Sequence, residues 1–253
     1  MKFIAGLLLA LAPLLAAAPA AAQQEVQDGP RSLVIQYRAS AANRTAFRAY
    51  LAQDMAERLK AMRARGEIED FRIFYSWYRQ PNVWDGLVIL RFPTSVAVEK
   101  WNAVERTQPG GLDARGLQLA DPVATYSTDL AWSRNPDDLR PGTVYYIIPY
   151  EYRNEAEYRS YVKAYVTPQF DGWISDGALS GYEIYMNRYS TGAPWDALFI
   201  QHYRDMSAFG RRAVLTEATR VKLRQNAEWK AWSDRKADIR SEAENSIAEL
   251  IAH

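Results

Sequence analysis

The run Leu33-Val34-Ile35-Gln36-Tyr37 is rich in β-branched and aromatic residues and recurs in kind as Val144-Tyr145-Tyr146-Ile147-Ile148, which predicts a strand at each place. After the first run, Phe47, Tyr50, Leu51, Met55, Leu59 and Met62 return every three or four residues. That spacing is the apolar stripe of an amphipathic helix, and Gly66 ends it. After the second run, Tyr158, Tyr161, Val162 and Tyr165 carry the stripe. Thr167-Pro168 is predicted to break it, with a second short helix starting at the proline, because proline lacks the helical amide donor. Two aromatic and branched runs follow in each half: Phe71 to Tyr78 and Leu87 to Phe92, then Tyr182 to Tyr189 and Leu198 to Tyr203. Pro81-Asn82 and Gly192-Ala193-Pro194 mark the turns between them. Further helices start near Ser95 and near Met206. Asp121-Pro122 resembles an N-cap with proline in the first turn. Its counterpart, with Ile239, Ala243, Ile247 and Leu250 at helical spacing, is expected to be helical; residues 121–132 also fit strand alternation, so both readings stand there.

The chain therefore states one pattern twice, and the repeat is visible residue by residue at an offset of 111. Trp84-Asp85 recurs as Trp195-Asp196, Asn43 as Asn154, Arg48 as Arg159, Tyr50 as Tyr161, Gly66 as Gly177, Ile73 as Ile184, Tyr78 as Tyr189 and Ile89 as Ile200. The register holds without a gap from about residue 33 to about residue 98, a span over which chance rarely aligns a hydrophobic pattern. Residues 31–132 and 143–253 are read as the two repeats, with the polar, turn-rich segment 133–142 between them.

Strand, helix, strand, strand, helix, stated twice, resembles the ferredoxin-like dimeric α/β-barrel superfamily in tandem form. The implied fold class is α+β: two βαββα repeats whose antiparallel sheets meet as an intramolecular pseudo-dimer, with the helices outside. The resemblance covers nearly all of the chain after its first segment and rests on element order, so it speaks to fold more than to function. Members include haem-degrading monooxygenases, chlorite dismutase-like haem proteins, cofactor-free monooxygenases and lactone isomerases. The resemblance implies a small-molecule pocket between the sheet and neighbouring elements.

Side chains alternate along a strand, so Phe71, Ile73, Tyr75 and Trp77 belong to one face and Arg72, Phe74, Ser76 and Tyr78 to the other. In the second repeat the sets are Tyr182, Ile184, Met186 and Glu183, Tyr185, Asn187, Tyr189. The apolar sets should pack on helices and the mixed sets should face the space between sheets, joined by Gln36, Tyr145 and Gln201. Arg72 and Glu183 hold equivalent positions and should approach near a pseudo-two-fold axis. Candidate ligand-binding residues are thus Gln36, Arg72, Ser76, Tyr78, Tyr145, Glu183, Asn187 and Gln201, together with His202 as a polar imidazole at a strand end. The duplicated Trp-Asp pairs read as structural: aspartate after a turn bonds local amides while tryptophan covers the sheet end.

Composition narrows the chemistry. Lys+Arg 31 against Asp+Glu 30 gives no charge reason for nucleic-acid binding. No Cys is present, which excludes disulfides, zinc–cysteine sites, cysteine nucleophiles and thiolate-bound haem, and two His argue against a multi-histidine metal site. Phosphate loops, dinucleotide fingerprints, HExxH and GxSxG are missing. Ser160-Tyr161-Val162-Lys163 matches a serine-x-x-lysine pattern but lies on an amphipathic helix without its companion motifs. The mixed charges from Lys222 to Glu244 read as a solvated helix face. Met1-Lys2, an apolar stretch and Ala20-Ala21-Ala22 form a secretory signal peptide over residues 1–22, followed by a flexible segment 23–30. The expected location is periplasmic or secreted, with no membrane span after cleavage.

These readings converge on an exported, non-catalytic protein that binds a small apolar or aromatic molecule or a protein partner, with no cofactor. The load of 16 Tyr and 8 Trp suits such a ligand. The alternative is a cofactor-free or haem-dependent monooxygenase-like enzyme of the same fold, with Arg72, Glu183, Asn187 or His202 near the substrate and haem, if present, on His202.

Overall fold

The computed structural model describes residues 29–189 and 194–253. The expected signal peptide, residues 23–28 of the expected flexible segment and the expected turn residues Gly192 and Ala193 lie outside them. The elements run β1 Ser32–Ala39, α1 Arg44–Tyr50, α2 Ala56–Ala64, β2 Asp70–Ser76, β3 Gly86–Arg91, α3 Ser95–Thr107, α4 Ala114–Leu119 and β4 Ala120–Arg134. The second half follows as β5 Val144–Tyr152, α5 Glu155–Tyr161, α6 Thr167–Ser175, β6 Leu179–Asn187, β7 Ala197–Tyr203, α7 Met206–Gly210, α8 Arg212–Leu223, α9 Ala227–Ile239, β8 Arg240–Glu242 and β9 Ser246–Ala252. No helix among the described residues is long and apolar enough to cross a membrane.

The strands close on themselves. Their order is β7-β6-β4-β1-β3-β2-β9-β5, and β5 pairs back onto β7, with β8 beside β5 in line with β9. Every pairing is antiparallel. Closure leaves no long free edge among the described strands. It is achieved by exchange. β4 pairs with β1 of its own repeat up to Ser32↔Thr128, then continues onto β6 of the other from Thr128↔Asn187 to Arg134↔Tyr182. β8 and the start of β9 pair with β5, and the end of β9 crosses to β2, with Tyr75↔Glu249.

These closing elements decide the open reading of residues 121–132 in favour of a strand and correct the expected final helix of the second repeat. Residues 120–134 form a strand, and after α9 ends at Ile239 the chain is extended at 240–242 and 246–252. Ile239, Ala243, Ile247 and Leu250 happen to fall at helical spacing, but antiparallel partners on both repeats claim the backbone. Pro122 sits where the β1–β4 register slips between Gln36 and Tyr37, a bulge that tolerates a residue without an amide hydrogen. The mixed-charge stretch is helical only as far as Ile239; its Arg240–Glu242 part is β8.

The main helix of each repeat contains one π turn, Leu51–Met55 between α1 and α2 and Val162–Val166 between α5 and α6. The two turns hold equivalent positions. The expected break at Thr167-Pro168 is therefore a widened turn: α6 starts at Thr167 with the proline in its first turn, where no amide is needed. The first repeat has Glu57 at the equivalent position, so proline is not the cause of the bulge. Gly66 ends α2 as expected, with φ of +71°.

Three apolar layers result. Phe71, Ile73 and Tyr75 pack with Phe47, Tyr50 and Leu59 under the first repeat's helices. Tyr182, Ile184 and Met186 pack with Tyr158, Phe170 and Trp173 under the second's. Phe74, Tyr145, Tyr185, Trp84 and Trp195 fill the barrel interior. The duplicated aspartates tie strand ends: Asp85 Oδ2 accepts from the Ala39 amide at 2.9 Å and Asp196 Oδ2 from the Tyr152 amide at 3.0 Å. Asp85 also pairs with Arg44.

Candidate functional site

Four of the nine candidates, Arg72, Tyr145, Glu183 and His202, meet inside the barrel. Arg72 and Glu183 form an ion pair, at 2% and 0% exposure. Tyr185 donates to Glu183 Oε1 at 2.9 Å, and His202 Nε2 lies 3.3 Å from Oε2. The Tyr145 ring stands edge-on to His202 with centroids 4.9 Å apart, its hydroxyl buried without a hydrogen-bond partner among the described residues, as is His202 Nδ1. Arg72 also reaches Asp137 Oδ1 at 3.1 Å, on the segment between repeats. Burial by itself raises the Glu183 carboxyl, but His202 and the Arg72 charge outweigh it and hold the group below its usual range.

The remaining candidates have other tasks. Ser76 Oγ donates to the Tyr78 carbonyl at 2.9 Å, and Asn187 Nδ2 donates to the Trp195 carbonyl at 3.2 Å, so both close turns at strand ends. Gln36 is half-buried on the Val34 face of β1. Tyr78 is 60% exposed and does not join the cluster. Gln201 is a correction. It shares a face with Phe199 and Tyr203, not with His202, and points away from the barrel interior toward the helices. Ser160 spends its hydroxyl on the Ala156 carbonyl.

On that outer face lies a cavity of about 340 Å³ between sheet and helices of the second repeat. Its floor is Tyr146, Ile148 and Tyr150 of β5 with Phe199, Gln201 and Tyr203 of β7, every second residue of each strand. The π turn and α6 cover it with Tyr165, Gln169, Phe170 and Trp173; α8 contributes Arg212, Thr216 and Arg220; Arg240 and Glu242 of β8 close one edge. Tyr203 donates to Gln201 Oε1 at 3.1 Å, and Arg220 Nε to Gln169 Oε1 at 2.7 Å. Each guanidinium lies over a ring: Arg212 at 4.7 Å from Tyr146, Arg220 at 5.5 Å from Trp173, Arg240 at 4.2 Å from Tyr150. Burial pushes the phenols of Tyr161 and Tyr203 up to about 12, so both are protonated donors near neutrality.

The equivalent face of the first repeat is filled. Tyr146, Gln201 and Tyr203 correspond to Ile35, Leu90 and Phe92, which are 0%, 0% and 1% exposed. The helix register also persists, since Thr94 caps Ala97 as Asp205 caps Ala208. Arg212 therefore corresponds to Trp101, whose indole packs edge-on to Phe92 with centroids 6.5 Å apart. A cavity of about 460 Å³ remains between α2 and α3, lined by Met55, Met62 and Trp101, but no strand residue lines it.

A haem on His202 does not fit this geometry. The imidazole is fully buried in the packed interior, and among the described residues no His, Met or Cys lines the cavity of the second repeat.

No family model matches the sequence, and no curated protein matches it. Solved structures do match in shape. A protein provisionally described as a monooxygenase from Lactobacillus acidophilus superposes with a TM-score of 0.53 at 12% identity, over 89% of this chain and 95% of that one. The fold is the dimeric α+β barrel. An anthrone oxidase-like protein gives 0.55 at 10% identity, over 89% and 93%. A dye-decolorizing peroxidase from Bacteroides thetaiotaomicron gives 0.52 at 9%, over 88% and 93%. Such identities carry the dimeric α+β barrel architecture to this chain and no activity.

Proposed function

We propose that the second repeat's sheet–helix cavity binds a small aromatic molecule and that the protein works as an exported binding protein. One observation carries this reading: where the first repeat packs Ile35, Leu90, Phe92 and Trp101, the second places Tyr146, Gln201, Tyr203 and Arg212 around open space. Polar groups at a buried face are costly unless something uses them, and the first repeat demonstrates the apolar solution for the same backbone. Aromatic walls with a few placed donors are the usual make-up of a small-molecule site. The only carboxylate on the lining among the described residues, Glu242, is held near Arg240 at 3.6 Å, so the cavity is furnished for holding a ligand more than for taking a proton from it.

The test is mass spectrometry of protein recovered from the export compartment. The denatured mass should correspond to cleavage after Ala22, and the native mass should exceed it by a small organic ligand. An intact leader overturns export. A bare native mass, together with no thermal stabilisation by any aromatic compound in a panel, overturns the binding reading. The second reading, a monooxygenase-like enzyme, draws support from the descriptions of the fold neighbours. It requires that the bound compound be consumed with uptake of dioxygen, and a ligand recovered unchanged after aerobic incubation rejects it.

A further inference from the structure

We infer that the occupant of this cavity is an aromatic carboxylate, and that Arg220, assisted by Arg212, reads its acid group; the inference rests on the binding reading above. Three guanidiniums line the cavity against one carboxylate. Arg240 is accounted for: Nη1 lies 3.6 Å from Glu242, and Nε donates to the Tyr161 hydroxyl at 3.3 Å. Arg220 and Arg212 have no carboxylate within 4.0 Å among the described residues, whereas their helix neighbour Arg224 pairs with Glu217 at 2.6 Å. Two unpaired cations on one side of a partly enclosed, low-dielectric space favour an anion there.

The geometry favours a carboxylate on Arg220 in particular. Its guanidinium face lies over Trp173 and its Nε is spent on Gln169. Stacking takes the face of the planar group and the Nε bond fixes its rotation, which leaves the Nη donors directed in plane. A guanidinium held this way loses little freedom on donating a fork of two hydrogen bonds to carboxylate oxygens. Gln169 is itself 4% exposed, so the support is buried. Arg212 stacks on Tyr146 and Phe209, bonds the Tyr146 and Tyr203 phenols and sits at the exposed mouth, where it can draw an anion in without fixing it. The rings of Tyr146, Phe199 and Trp173 supply the apolar walls for the aryl part.

Isothermal titration with 2-naphthoate and with its neutral analogue 2-naphthamide tests this. The wild-type protein should bind the acid at least about tenfold more tightly than the amide, as expected for one charge-assisted fork. Raised salt should narrow that ratio. R220Q should lose most of the preference for the acid while keeping the amide within about twofold, R220K should restore part of it, and the paired surface residue in R224Q should change neither. Equal binding of acid and amide by the wild type, or an unchanged acid preference in R220Q, overturns the carboxylate assignment and leaves the binding reading standing. Failure of both compounds to bind at millimolar concentration overturns the assignment too, and the binding reading is then judged by the native mass of the recovered protein.

Discussion

Arg72 and Glu183 stand 111 residues apart, at equivalent positions of the two repeats, and meet as an ion pair inside the barrel. One pseudo-symmetric position thus carries opposite charges in its two copies. A symmetric pair, two arginines or two glutamates, would bury like charges against each other. Isolated burial of either partner is expensive, whereas an apolar pair of matched volume often is not. R72M and E183L singly should each destabilise by about 3–5 kcal/mol, and the double variant by far less than the sum. Urea unfolding of the four proteins measures this. Additive losses would show that the two side chains do not act as a pair.

The same pair sets an acid limit. Glu183 has its folded pKa held below the ordinary value of 4.5, with burial opposing His202 and Arg72. A carboxyl depressed by folding contributes stability that is fully present above its unfolded value and is lost as pH falls through the folded one. Stability should therefore be level with respect to this group above about pH 5 and fall below about 4.5. The E183Q variant should be less stable at neutral pH, and its stability should depend less on pH in the acid range. Chemical denaturation between pH 3 and 7 reads both slopes; parallel curves for wild type and E183Q would remove Glu183 from the account.

Much of this was legible in the sequence, because alternation and duplication are local signals. Parity along Phe71 to Tyr78 sorted Arg72 and Phe74 from Ile73 and Tyr75, and duplication placed Glu183 opposite Arg72. The closing strands were not legible. β4 and β9 take their partners from both repeats, and such long-range pairing leaves no mark on local periodicity, while Ile239, Ile247 and Leu250 coincide with helical spacing. Gln201 was assigned by its polarity to the interior, although adjacent residues of a strand cannot share a face and His202 already occupied that one. The cavity required packing of α8 and β8, which periodicity does not give. One signal for it was present: aligned at the repeat offset, Ile35, Leu90 and Phe92 become Tyr146, Gln201 and Tyr203, a polar drift confined to one face.

That drift can be reversed by substitution. Q201L with Y203F gives the second repeat the residues of the first. Gln201 and Tyr203 bond each other at 3.1 Å, and replacing both partners of a buried bond by apolar groups of similar shape is close to neutral. The double variant should keep its unfolding free energy within about 1 kcal/mol of wild type and lose native-mass ligand occupancy. Q201L alone should be less stable than the double variant, because it leaves the Tyr203 hydroxyl without its acceptor. Full ligand retention in the double variant would place the ligand elsewhere.

The wall of the cavity depends on a close approach of α6 and α8 at Gly172. A Cβ added there would lie 2.4 Å from Thr219 Cγ2, closer than any side-chain contact allows. Helix propensity alone predicts that G172A stabilises, by up to about 1 kcal/mol. The contact predicts the opposite sign, a loss of about 1–3 kcal/mol from overpacking. Thr219 also donates to Asp176 Oδ2 at 2.7 Å, so T219S removes the offending methyl and keeps that bond. G172A/T219S should recover most of what G172A loses, and since Trp173 and Thr216 flank this contact on the cavity lining, it should also recover ligand binding. Calorimetric unfolding of the three variants decides the matter: a rise in stability for G172A would mean that the two helices part freely, and that the cavity wall is set by something other than this contact.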